Sequence, residues 1–233
     1  MQLSPSATRW FPLASIPGGM LLILSWAIPA IVLLPNLFAP DVRNVAGPSA
    51  DLGLLSTWFA LGFAVLFAGV AVPAIAKAAR VGWVGAFGAL LYALGAFFLS
   101  VQALFGIASP ATILPWHFLL VPALFSIGAV VFGVAAFRSG ALPRRAGLLL
   151  AFIQPTALFG VAGPAAGMVL FGTDFGLGAS TLLRMYGYVG MFGVAAAWAW
   201  LGNGAWKLGA AAGTGSLPAH APIVAATGIR AAR

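Results

Sequence analysis

RVGWVGAFGALLYALGAFFLSVQALFGIASPATILPWHFLLVPALFSIGAVVFGVAAFR, residues 80–138, runs for 57 residues between its two terminal arginines without an Asp, Glu, Lys or Arg. A helix rises about 1.5 Å per residue and needs roughly 20 apolar residues to cross about 30 Å of hydrocarbon, so this run holds two spans and a turn. The remaining charges cut the chain into neutral runs of 31 residues (Arg9 to Asp41), 25 (Asp51 to Lys77), 28 (Arg145 to Asp174) and 22 (Arg184 to Lys207). Each accommodates one span. The expectation is an all-α integral membrane protein with six transmembrane helices near 16–38, 52–76, 82–106, 114–137, 147–171 and 185–206.

Composition supports that class, with 62% hydrophobic and 6% charged residues against about a quarter charged in soluble domains. The runs lack the alternation of transmembrane strands, which favours helices over a barrel. Pro29, Pro73, Pro122, Pro155 and Pro164 fall within them, which membrane helices tolerate where neighbours re-satisfy the freed carbonyls. The first apolar stretch is longer than a signal-peptide core and is expected to stay attached as a span. Residues 1–15 then form a cytoplasmic N-terminal segment, 16–206 the transmembrane domain, and 207–233, rich in Ala, Gly and Pro, a disordered cytoplasmic tail.

Sorting charges by loop puts Arg9, Lys77, Arg80, Arg138, Arg144, Arg145, Lys207, Arg230 and Arg233 on one side and Asp41, Arg43, Asp51, Asp174 and Arg184 on the other. The all-basic side is expected to be cytoplasmic, with both termini inside and the protein in a cell membrane, of the bacterial inner-membrane type. An odd number of spans would spoil this segregation. Trp10, Phe11, Trp198, Trp200 and Trp206 suit the inner interfacial belt, and Trp58 and Trp116 the outer one. Arg184 is expected at the outer boundary, within reach of an ion pair to Asp174.

Two stretches recur in order: GVAVPAIA at 69–76 with GVAGPAAG at 160–167, and GWVGAFG at 82–88 with GYVGMFG at 187–193. If the first three helices correspond to the last three, the odd number per half makes a 3+3 inverted repeat, as in transporters whose sites lie near the midplane. Against this, a chain with 30 glycines generates short matches by chance. The glycines of the second pair, Gly82, Gly85, Gly88 and Gly187, Gly190, Gly193, form ridges suited to close helix packing or to self-association.

Candidate chemistry is sparse. There is no cysteine, so disulfides and thiolate sites are excluded. No GxSxG elbow, HExxH or intramembrane carboxylate pair is present, and no cofactor, metal or catalytic residue is assigned. His117 and His220 lack companion ligands. The net charge of +8 is spread between spans without an aromatic-interleaved patch, which argues against nucleic acid. Polar residues inside spans mark a candidate midplane path: Gln154, Thr156, Tyr92 and Ser25. The leading expectation is a non-enzymatic accessory or structural membrane component, whose partners are the lipid bilayer and other membrane subunits. The alternative is a small permease or channel for a neutral or lipid-like solute, built on the inverted repeat.

Overall fold

The computed structural model describes residues 10–38, 48–105, 117–160 and 177–213, and these are helical apart from short turns, with no strand among them. A 3-10 turn, Phe11–Ala14, leads into α1 (Ser15–Phe38). Then come α2 (Pro48–Ala79), α3 (Gly82–Phe105) and α4 (His117–Ser139). Helix α5 starts as Arg144–Leu148, widens into a π turn at Leu149–Ile153, and resumes through 154–160; α6 is Leu177–Gly213. Thr57–Ala79, Gly82–Leu104 and Leu120–Ser139 are each long and apolar enough to cross a membrane.

The expected spans overlap these helices, of which three are long and apolar enough to cross a membrane, but the ends differ, and 161–171 of the fifth expected span lie outside the described residues. α2 begins before Asp51, and α6 begins at Leu177, so Arg184 stands inside a helix rather than ahead of one. α6 also continues to Gly213, so the first residues of the expected tail are helical. Residues 1–9 and 214–233, with His220, lie outside the described residues, as does the side chain of His117.

The helices pack in chain order, each against the next, and α6 closes back onto α1 while also touching α2. Small residues set how closely they approach. A Cβ on Gly95 of α3 would lie 2.6 Å from the Phe125 amide nitrogen of α4, and one on Gly88 would lie 2.6 Å from that of Phe132. On α4, a Cβ at Gly128 would collide with the Tyr92 backbone. Backbone therefore meets backbone along α3 and α4, the contact that small residues permit between apolar helices.

The turn from α2 to α3 is tight. The Arg80 and Val81 amides donate to the Lys77 and Ala76 carbonyls, both at 3.3 Å, the paired bonds of a Schellman cap. Such a cap needs a left-handed residue, and Arg80, at φ +50°, takes the place usually given to glycine. Gly82 follows at φ +77° and starts α3.

The two glycine ridges are used differently. Gly85 and Gly88 of α3 face Ala135 and Val131 of α4, whereas Gly190 and Gly193 of α6 face Ala157 and Ile153 of α5. An inverted two-fold pairing the first three helices with the last three would carry the α6 ridge onto α1. The α6 residue against Gly19 of α1 is instead Ala195, whose carbonyl oxygen lies 2.9 Å from a Cβ placed at that glycine. The other echo, at 160–167, lies almost entirely outside the described residues.

Candidate functional site

The buried face of α3 is built of small residues, Gly85, Ala89, Ala96 and Ala103, with one large exception, Tyr92. Because α3 and α4 touch through glycine, the Tyr92 ring packs closely on Phe125, with centroids 4.4 Å apart and the planes tilted by 35°. Its hydroxyl then reaches α5, where it donates to Gln154 Oε1 at 3.0 Å. The indole of Trp198, on α6, stands beside the same hydroxyl without completing a well-formed hydrogen bond. Two helices, α3 and α5, are thus joined through polar atoms, with Trp198 of α6 buried in the same core.

Gln154 owes its position to the chain just before it. Pro155 has no amide hydrogen, so the Ala151 carbonyl loses its α-helical donor, and the ring crowds the preceding turn. The backbone accommodates this by widening into the π turn at Leu149–Ile153, immediately ahead of Gln154. Gln154 nonetheless keeps phase with the buried stripe of Leu150, Ala151 and Ala157.

Closure is the dominant property of this cluster. Tyr92, Gln154 and Trp198 are 0%, 1% and 2% exposed, so almost none of their surface reaches the outside of the bundle. Two donors inside it, Gln154 Nε2 and Trp198 Nε1, have no hydrogen-bond partner among the described residues. An unpaired buried donor costs about 1–3 kcal/mol. The centre of the bundle is tightly enclosed, and its polar atoms are only partly paired by protein groups among the described residues.

The other expected polar residues go elsewhere. Ser25 is buried on α1, where its hydroxyl returns to the Leu22 carbonyl at 2.7 Å. Thr156 is exposed: it donates to Phe152 O at 2.8 Å and accepts from the Tyr186 hydroxyl at 3.0 Å, tying α5 to α6 on the outer surface. So Tyr92 and Gln154 are joined, and Ser25 and Thr156 bond apart from them. The Arg184–Asp174 pair lies outside the described residues, since Asp174 and the Arg184 side chain belong to them no more than Asp41 does.

Trp198 corrects an expectation, because it sits in the core and not in an interfacial belt. The signal was present as helical phase: Met191, Val194, Trp198, Leu201 and Ala205 recur at three- and four-residue intervals and are all buried. Trp10 and Trp206 behave as anticipated of surface tryptophans only in part. They face each other at 6.4 Å between centroids, with Trp10 exposed and Trp206 half-buried.

No family model, no curated protein and no solved structure matches the chain. The class defined by fold and site is therefore a helical protein in which three described helices are long and apolar enough to cross a membrane, with a buried polar cluster at its centre.

Proposed function

We propose that the chain is a six-span integral membrane protein, with both termini on the Lys/Arg-rich cytoplasmic side, that acts without catalysis as an accessory or structural subunit. The observation that carries this reading is the closed centre. Tyr92 and Gln154 tie α3 to α5 and Trp198 of α6 packs buried among the same core, where a solute path would need room. A scaffold benefits from such a knot, because a polar bond in an apolar interior fixes which helices meet and in what register.

A second reading, a small permease for a neutral or lipid-like solute, is favoured by one specific observation. Gln154 Nε2 and Trp198 Nε1 are unpaired beside a π turn and a proline, and a rearranged α5 could present both donors to a solute's oxygen. Gentle detergent extraction from native membranes separates the two. The expected result is a stable complex with other membrane proteins, and vesicles containing the pure chain that are no more permeable to neutral solutes than protein-free ones. Solute flux that the Gln154→Leu variant abolishes would establish the permease instead.

A further inference from the structure

Between the end of α2 and the first turns of α3 an open groove of about 470 Å³ faces outward from the bundle. Its lining changes along its length. Lys77, Arg80 and Gly82 line the end at the interhelical turn, and Pro73 and Leu90 the far end, with Ala86 between. From Gly82 to Leu90 α3 rises about 12 Å, so the groove runs from a charged rim well into the apolar part of the span.

The cations at the rim are exposed and pair with no carboxylate among the described residues. Asp51 stands at the opposite end of α2, about 40 Å of helix away. Arg80 keeps its left-handed φ of +50° at a position where a glycine would be unstrained, so its charge stands where local folding alone would not put an arginine. The α3 amides that start at Gly82 have no intrahelical acceptor and carry the positive end of the helix dipole. Space beside them is open, since a Cβ on Gly82 would meet nothing within 4 Å. Trp83, 82% exposed, stands next to it, as befits a membrane–water boundary.

The geometry points to an anionic phospholipid as the occupant of this groove, its phosphate held by Lys77, Arg80 and the start of α3 and one acyl chain lying along Ala86 and Leu90. The inference rests on the membrane placement proposed above. Two cations and a helix N-terminus at one end of an apolar trough match a phosphate ester joined to a hydrocarbon chain, and they match neither alone.

Native mass spectrometry of the full-length chain in mixed micelles of phosphatidylglycerol and phosphatidylcholine tests it. Selective retention of phosphatidylglycerol is expected, falling roughly 5-fold in each of Lys77→Gln and Arg80→Gln and roughly 30-fold in the double variant. Arg138→Gln/Arg145→Gln removes the same charge outside the groove and should leave retention unchanged. Ala86→Trp keeps every charge but blocks the trough, and should also abolish it. Equal loss in both double variants would overturn the site in favour of diffuse surface attraction. Full retention in Ala86→Trp, or displacement of the lipid by soluble glycerol phosphate at equal concentration, would overturn the lipid as occupant. Cysteine labelling reads the topology independently, so a chain that labels in the opposite sense yet retains the lipid would refute the orientation and keep the groove.

Discussion

Gln154 commits its carbonyl oxygen to Tyr92 and leaves its amide nitrogen bare, which makes the two halves of this contact unequal. Tyr92→Phe would strand the whole carboxamide in the core, at about 1–3 kcal/mol. Gln154→Leu discards an already unpaired donor and strands only the hydroxyl, so it should cost less. Thermal or denaturant unfolding in detergent would measure both. A double variant is expected to show a coupling of about 0.6 kcal/mol, the average for polar contacts between membrane helices, and at most about 1.7 kcal/mol; strictly additive losses would show that the bond contributes nothing. Polarity in an apolar run made Tyr92 and Gln154 legible in the sequence, but the same signal equally marked Ser25 and Thr156. It identifies groups that must find a partner and does not say where. Thr156 is two residues beyond Gln154, about 200° around the helix, and that rotation alone turns it outward. Trp198 is the converse case: nearness to a helix end suggests an interfacial belt, whereas phase with Val194 and Leu201 puts it in the core.

Among the elements, α3 and α4 are the pair held by backbone contact. Gly128→Ala would drive a Cβ into the Tyr92 main chain, and a main chain cannot swing aside as a side-chain tip can. A loss of about 1–3 kcal/mol is expected, the usual cost of overpacking, together with a weaker coupling between Tyr92 and Gln154. Gly193→Ala is the matched control, because its Cβ would meet only Ile153 Cγ2 at 3.4 Å, an ordinary contact, and unfolding temperatures should change little. Long neutral runs made the helices themselves legible, since α1, α3 and α4 begin or end within a few residues of the expected spans. Less legible were ends set by local rather than compositional effects. Asp51 and Arg184 suggested boundaries, yet both lie inside helices, because a single charge near a helix end costs little where its side chain can extend toward water.

For the molecule as a whole, the topology proposal rests on charge segregation. With no native cysteine, single substitutions report cleanly: Ala141→Cys should react only with reagents that reach the cytoplasmic side, and Ala46→Cys with reagents added outside. Reversal of either result would sink the orientation. What no pattern of runs and charges conveyed was closure, the packing of α6 back onto α1 through Gly19 and Ala195, because contacts so distant along the chain leave no periodic trace. The Tyr92–Gln154 bond has a similar reach, joining residues 62 positions apart, and this bears on how the protein is made. While the ribosome is still delivering α5, the helices already made carry a Tyr92 hydroxyl that lacks its mate. That orphaned phenol is a chemical mark of incompleteness, erased only when α5 arrives with Gln154.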